Sequence, residues 1–371
     1  MNAARPLKVV VCGSTFGQLY LRALQDGGLP FQLAGLLANG SPRSHACAAR
    51  FGLPLYTDPA QLPGDIEAAC VVVRGGAMGG RGTELAQTLM ARGLHVLQEQ
   101  PLHHDELAAC LAQARRCGVQ YRVNTFYTTL APVQRFLQAA ARLLACRRPL
   151  FVDAACAVQV SYPLFDILGQ MLGQLRPWTL RAMPAAPEQE QGSAVFRSLE
   201  GSIAGLPFTL RVQNQIDPAD PDAHLHLLHR ITLGTDGGSL TLVDSHGPVL
   251  FQPAQHLPAA LRDAFDLHGA LPEHLDFAST VELGPATAPS FRDIFGALWP
   301  DGVRAALLDW HAAIASGADP RKLGQYQLAL CRIWQDTTAA LGYPDMVSQS
   351  PARPLAGTAL ADPAAIDKEA A

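Results

Sequence analysis

Long apolar runs, basic clusters and paired cysteines are what this 371-residue chain lacks. Nowhere do 18 apolar residues follow one another without interruption, so no membrane-spanning helix is expected. The segment after Lys8 holds only a short apolar run, too short for the core of a secretory leader. The formal net charge is −4, and no excess or run of Lys and Arg suggests a nucleic-acid or membrane surface. The eight cysteines (12, 47, 70, 110, 117, 146, 156 and 331) contain no C-x-x-C pair and no regular framework, which leaves buried, reduced thiols as the expectation. A cytoplasmic location follows from these absences. Histidines 224, 226 and 229 form the one dense group, with Asp222 close by, but their spacing matches no familiar ligand set and no metal is expected.

What is present is apolar pattern: 49% of the residues are hydrophobic, and the length suffices for two domains, each with a core of its own. Val9-Val10-Val11 reads as a buried parallel strand, and apolar residues at Phe16, Leu19, Tyr20 and Leu24 read as the helix after it. The turn between them resembles the first unit of a dinucleotide-binding domain, in which helix-start N–H groups face a pyrophosphate. Its fingerprint is imperfect, with Gly13 in the first glycine position, Thr15 in the second and Gln18 in the third. Gly17, one residue early, can still let helix and strand approach. Gly13, Ser14, Thr15, Phe16 and Gly17 are therefore expected on the cofactor.

Strand and helix patterns alternate onward through residue 125, with strands at 31–38, 54–56, 68–73, 93–101 and 119–124 and helices at 83–91 and 105–117. The second strand is followed by Asn39-Gly40-Ser41-Pro42-Arg43-Ser44, and no acidic residue occurs between Asp26 and Asp58. An NAD-preferring domain usually ends this strand with a carboxylate on the ribose 2′-OH. Its absence removes repulsion of a 2′-phosphate, while Arg43 supplies a charged fork and Asn39, Ser41 and Ser44 supply polar side chains, so NADP(H) is favoured. A solvated loop capping a helix near Ser44 is the competing reading. The glycine-rich stretch from Arg74, Gly75 and Gly76 onward follows the fourth strand and is expected to reach the cofactor.

A bridging helix at 130–146 leaves this region, and the grammar then changes: a strand at 150–158, a helix at 164–172 and consecutive strands from about 194 to 252, with Asp236-Gly237-Gly238 as a hairpin turn. Helices at 303–314 and 325–341 follow. The fold class expected is α/β, a Rossmann-type doubly wound parallel sheet followed by an α+β domain with a mostly antiparallel open sheet. Residues 1–128 are read as the NADP(H)-binding domain, 129–347 as the substrate and dimerisation domain, and 348–371 as a loose tail.

Glu99-Gln100-Pro101, after a strand of the first domain, is similar to the Glu-Lys-Pro segment of the glucose-fructose oxidoreductase / inositol dehydrogenase / rhizopine-catabolism superfamily. In that superfamily the lysine and a histidine of the second domain assist hydride transfer at a sugar hydroxyl. Here Gln100 replaces the lysine, and the second-domain pattern falls at Asp166 to Gln170, with Gln170 in place of the histidine. An uncharged amide cannot accept the proton of an alcohol.

A closer resemblance is to the thiazolinyl imine reductases of pyochelin- and yersiniabactin-type siderophore assembly lines, carried by the segments 10–17, 37–44, 97–102 and 123–127 and more weakly by 162–166. It implies NADPH-dependent reduction of a thiazoline C=N to a thiazolidine while the intermediate is tethered to a carrier protein of a nonribosomal peptide synthetase, with a homodimer as the expected assembly. Within that resemblance Tyr127 is the expected proton donor, with a ring in the interdomain packing as the competing reading; Asp105 is a second candidate that orients water or substrate, or equally a helix-start carboxylate on the dipole; and Glu99 and Gln100 shape the cofactor side. His103 and His104 are alternative acids. A sugar or cyclitol oxidoreductase, or an NADP(H)-sensing protein without turnover, are the competing functions.

Overall fold

The computed structural model describes residues 5–73, 81–184, 194–264, 268, 271–285, 288–357 and 360. A first sheet is made by β1 (Leu7–Cys12), β2 (Phe31–Leu37), β3 (Leu55–Tyr56), β4 (Ala68–Val71), β5 (His95–Glu99) and β6 (Tyr121–Asn124). Its order is β3-β2-β1-β4-β5-β6, and every pairing is parallel. The crossovers are α1 (Gly17–Gln25), α2 (Pro42–Phe51), α3 (Gly82–Ala91) and α4 (His104–Cys117). Val9, Val10, Val11 and Cys12 are fully buried, as a strand covered on both faces must be.

Gly13 is glycine for a local reason. Its φ is +106°, and a Cβ there would lie 2.3 Å from the Val72 carbonyl oxygen, so the β1–α1 turn closes against the end of β4 only without a side chain. Gly17 takes over the helix–strand approach: a Cβ there would meet Val11 Cγ1 at 3.3 Å. Gln18, in the third fingerprint position, instead folds its amide back to donate to the Ser14 carbonyl at 3.0 Å.

After α5 (Ala131–Leu144) the second sheet is built from β7 (Pro149–Ala157), β8 (Trp178–Ala182), β9 (Phe196–Ile203), β10 (Leu206–Gln213), β12 (His229–Thr235), β13 (Gly238–Leu242), β14 (Val249–Pro253) and β15 (Val281–Glu282). Its order is β15-β14-β13-β12-β7-β10-β9-β8, antiparallel except where β7 and β10 run parallel. Edge strand β8 was not expected from the sequence. Along β7 the residues Val152, Ala154 and Cys156 are buried on the side that carries α5 and α6 (Ser161–Leu172), whereas Phe151 and Asp153 stand exposed on the other face. Helix α6 begins three residues before its expected start, with Pro163 in the first turn where proline is tolerated.

The C-terminal helices are shared between the sheets. Short α7 (Ala259–Ala264) and α8 (Phe291–Asp293) precede a single π-helical turn, Ile294–Leu298, which runs into α9 (Trp299–Ser316) and then α10 (Arg321–Leu341). Arg304 donates to the Ala23 carbonyl at 3.0 Å, and Trp310 stacks on Phe31 at 5.5 Å, so α9 lies against α1. From α10 the Gln327 amide donates to the Val123 carbonyl at 2.9 Å. A last strand, β16 (Asp345–Met346), pairs with β11 (Gln215–Ile216).

Candidate active site

A cleft of about 740 Å³ opens over the carboxyl ends of β1, β2 and β4, where a doubly wound sheet receives its ligand. Gly13, Ser14, Thr15 and Phe16 form its floor. Helix α1 starts there with no side-chain cap and no acidic residue in its first turn. The Gln18 and Leu19 N–H groups turn back to the Thr15 and Phe16 carbonyls at 3.2 and 3.0 Å, and the positive dipole end of the helix faces the cleft, where it favours an anion.

The 39–44 loop is organised by its own side chains. Asn39 Oδ1 accepts from the Ser41 N–H at 3.2 Å and from the Ser44 hydroxyl at 3.0 Å. Ser41 is the N-cap of α2, its Oγ accepting from the Ser44 N–H at 3.3 Å. Ser44 is fully buried, its hydroxyl holding the loop through Asn39, and the cap sits at Ser41. Arg43 does face the turn, its guanidinium donating to Thr15 Oγ1 at 3.4 Å. Asp58, absent from the sequence-based set, also lines the cleft, where its carboxylate accepts from the Ala60 N–H at 2.7 Å. Arg74, Gly75 and Gly76 lie outside the described residues.

Glu99, at the carboxyl end of β5, is partly buried and receives two donors on one oxygen: the Tyr20 hydroxyl and the Asn124 amide, the latter at 2.8 Å. Burial pushes its carboxyl up to about 7, against the opposing pull of these two hydrogen bonds. Beside it, Gln100 Oε1 is buried with no donor among the described residues. A buried acceptor without a donor at the end of β5, a helix start with no side-chain cap and the exposed Arg43 guanidinium over the turn fit a bound dinucleotide.

Asn124 fixes the next turn as well. Its Oδ1 accepts from the Phe126 N–H at 3.1 Å, and Phe126 holds φ +64° and ψ −58°, a conformation that a bulky residue adopts only under constraint. The turn presents Tyr127, buried with its ring edge-on to Phe126 at 5.2 Å and to His229 at 4.7 Å. Burial, with Asp244, Glu99 and Asp222 adding negative potential, holds the Tyr127 phenol far above its usual range and therefore protonated. Asp222 belongs to the segment between β11 and β12 and lines the cofactor cleft, so a loop of the second half closes over the first.

His229 is not a ligand. Its Nε2 lies 2.7 Å from the Val160 carbonyl and its Nδ1 2.6 Å from Ser245 Oγ. A carbonyl accepts only, so Nε2 carries the proton and Nδ1 accepts from Ser245. Burial lowers this imidazole to about 4, which keeps it neutral. Among the described residues no group of three or more His, Cys, Asp or Glu side chains is arranged to hold a metal ion.

Other expected residues fall elsewhere. Asp105 is fully exposed in the first turn of α4 and pairs with His104 Nδ1 at 3.2 Å, the placement of a helix-start carboxylate beside the dipole. His103 caps the same helix, near Gln335 and Trp334. Asp166 is a buried hub accepting from the Tyr326 hydroxyl at 2.7 Å, from Gln170 at 3.1 Å and from Thr125, while the Gln170 side chain reaches the surface.

Sequence reasoning missed an aromatic ladder. Phe291 and Phe295 stack at 6.2 Å on the surface; Phe295 meets Trp299 at 4.9 Å; and Trp299 meets Phe16 and Phe126 at 6.1 and 5.4 Å. The π turn at 294–298 sets these rings, and neither helical nor strand periodicity signals such a turn.

Comparisons with known proteins agree with this geometry. Residues 7–125 match the Gfo/Idh/MocA family described as "Oxidoreductase family, NAD-binding Rossmann fold", and residues 147–252 match "Thiazolinyl imine reductase Irp3-like, C-terminal". No curated protein matches the chain. Among solved structures, an oxidoreductase from Agrobacterium radiobacter in complex with NAD+, L-tartaric acid and magnesium is 13% identical, with a TM-score of 0.64 over 90% of this chain and 96% of its own. KijD10, a 3-ketoreductase from Actinomadura kijaniata in complex with NADP and TDP-benzene, is 16% identical, with a TM-score of 0.64 over 93% of this chain and 100% of its own. A dehydrogenase from Chromobacterium violaceum is 14% identical, with a TM-score of 0.64 over 91% and 96%. At these identities the likeness is one of fold.

Proposed function

The chain is an oxidoreductase that joins a Gfo/Idh/MocA NAD(P)-binding Rossmann domain to an Irp3-like thiazolinyl imine reductase C-terminal domain, and from that premise we propose that it reduces the C=N of a carrier-tethered thiazoline to a thiazolidine with NADPH. Bound NADPH supplies the hydride for the imine carbon. The α1 N-terminus and the 13–17 turn would hold its pyrophosphate, Arg43 would pair with its 2′-phosphate, and the unpaired Gln100 Oε1 would accept a hydrogen bond from it. Tyr127 gives its phenolic hydrogen to the imine nitrogen, and the rings of Phe16, Phe126 and Trp299 exclude water around the reacting bond.

One observation supports this reading most. Tyr127 and His229, packed edge-on at 4.7 Å, are both neutral at neutral pH, the phenol held protonated by burial and the imidazole lowered by burial to about 4. Reduction of C=N asks for a proton donor, which a protonated phenol is, and the superfamily lysine that would take an alcohol proton is replaced here by Gln100. The exposed outer face of the second sheet, with Phe151, Asp153 and Arg211, is the surface assigned to a homodimer contact.

The test is NADPH oxidation by the purified protein with a thiazoline loaded on a carrier or as a soluble thioester analogue. Turnover with a thiazoline and none with sugars or cyclitols is the expected result. The reverse pattern would overturn the assignment in favour of an alcohol oxidoreductase.

A further inference from the structure

We propose that His246 is a positioning residue for the reaction: as acceptor of the Trp299 indole N–H it holds the aromatic wall of Phe16, Phe126 and Trp299 in place beside Tyr127. Its effect on turnover rests on the imine-reductase reading; its effect on the tryptophan rests on the fold alone.

The short turn between β13 and β14 reaches the site with two neighbouring side chains. Ser245, fully buried, donates to His229 Nδ1, and His229 packs edge-on against the Tyr127 ring at 4.7 Å. His246 Nε2 accepts from Trp299 Nε1 at 3.0 Å. The Trp299 ring in turn lies 5.4 Å from Phe126 and 6.1 Å from Phe16. One turn of the second sheet thus braces both Tyr127 and the rings beside it, although Phe16 belongs to the cofactor turn and Phe126 to the turn after β6.

The packing of α9 carries that contact to the reacting groups. Gly302, one helical turn after Trp299, lies so close to the Phe126 turn that a Cβ there would be 2.8 Å from Leu130 Cδ2 and 3.5 Å from Phe126 Cε2. With no slack between them, a tilt of Trp299 is passed to Phe126. Phe126 holds its φ of +64° only under constraint, and Tyr127 is the next residue.

The histidine is held in turn by Asp244. The carboxylate accepts from the His246 N–H at 3.3 Å through Oδ1 and from the Leu228 N–H at 2.9 Å through Oδ2, and its Oδ1 stands 3.5 Å from His246 Nδ1. An indole N–H only donates, so Nε2 is the bare nitrogen and the neutral ring carries its hydrogen on Nδ1, toward Asp244. Protonation would set an N–H against the indole N–H and end the bond. Asp244 on the same turn and His229 on β12 are the titratable groups that act on His246; Trp299 on α9 and Pro132 on α5, beside Gly247, carry no charge. Burial lowers the imidazole against the pull of Asp244, so the accepting form prevails at neutral pH.

The Trp299 indole N–H reads the contact without turnover. Its NMR resonance in the intact protein, assigned with Trp299→Phe, is expected to exchange slowly with solvent at neutral pH in the wild type and in His246→Gln, whose amide oxygen also accepts, and quickly in His246→Leu. On acidification the wild-type resonance is expected to lose its protection while that of His246→Gln keeps it. Equal exchange in wild type and His246→Leu, or the same acid response in His246→Gln as in wild type, would overturn the proposal. In turnover on a soluble thiazoline, His246→Leu is expected to lose roughly tenfold in kcat, the equivalent of one hydrogen bond, and His246→Gln to recover most of that loss. Should His246→Leu fail to fold, Trp299→Phe takes its place, since it keeps a ring and removes the donor, and a kcat equal to wild type would refute the role. If the wild type reduces no thiazoline, the imine-reductase reading falls and the role in turnover with it. An unresponsive indole signal in an active wild type overturns the role of His246 alone.

Discussion

The Asn124 amide donates to Glu99 Oε1 at 2.8 Å while its own carbonyl oxygen receives the Phe126 N–H at 3.1 Å. One side chain thereby couples the carboxyl at the end of β5 to the strained turn that presents Tyr127. The same amide also donates to the Tyr20 hydroxyl at 2.7 Å, so α1, β5 and β6 meet at a single residue beside the cofactor cleft.

Asn124→Ala breaks all of these contacts at once. It leaves the buried Phe126 N–H without an acceptor, which is expected to cost about 2 kcal/mol of stability in urea unfolding. The constraint on the Phe126 turn goes with it, and kcat is expected to fall with the stability.

Arg43 is the cation that reaches over the glycine turn, and its charge is expected to discriminate between cofactors. Arg43→Ala removes a charge-assisted contact with a 2′-phosphate and is expected to weaken NADPH binding about tenfold or more, leaving NADH nearly unaffected. Isothermal titration with both cofactors reads this. Equal loss for both would assign Arg43 to the loop alone, and Asp58 would then be the residue to examine for ribose contact.

Tyr127→Phe keeps the ring against His229 and Phe126 and deletes only the hydroxyl. The fold is expected to be unchanged by near-UV dichroism and kcat on a thiazoline to drop by about 100-fold. Unchanged kcat would remove the phenol from the chemistry.

Much of this was legible in the sequence because it is local. Val9 to Val11 announced a doubly covered strand, and Gly13 a close approach, because one residue's neighbours decide both. The segment 39–44 showed its lack of acid in the same way, although the exposure of each hydroxyl was decided by the cap at Ser41, which turned Ser44 inward. What stayed hidden depends on distant partners. Tyr20 and Glu99 are 79 positions apart, and His229 reaches Val160 across 69, so neither pairing leaves a mark on periodicity. For Asp105 the sequence left two readings open, because a carboxylate at a helix start looks the same whether it serves the dipole or a substrate. The ladder from Phe291 to Trp299 was hidden by the π turn that aligns it.

The Glu99 carboxyl also links stability to pH. Its value rises from 4.5 to about 7 on folding, so between those values the unfolded chain has released a proton that the native state keeps. The native state then binds more protons, and this group's contribution falls as pH rises through that window and levels above it. Urea unfolding of wild type and Glu99→Gln at several pH values is expected to show the variant gaining on the wild type from pH 4.5 to about 7. A constant difference would mean that Glu99 is ionised in the native state as readily as in the unfolded one.

The most direct measurement is mass spectrometry of a carrier-tethered thiazoline after incubation with the protein and NADPH deuterated at C4. The account predicts that the tethered intermediate gains two hydrogens, one of them deuterium on the former C=N carbon. An intermediate that keeps its mass while the protein binds NADPH would contradict it.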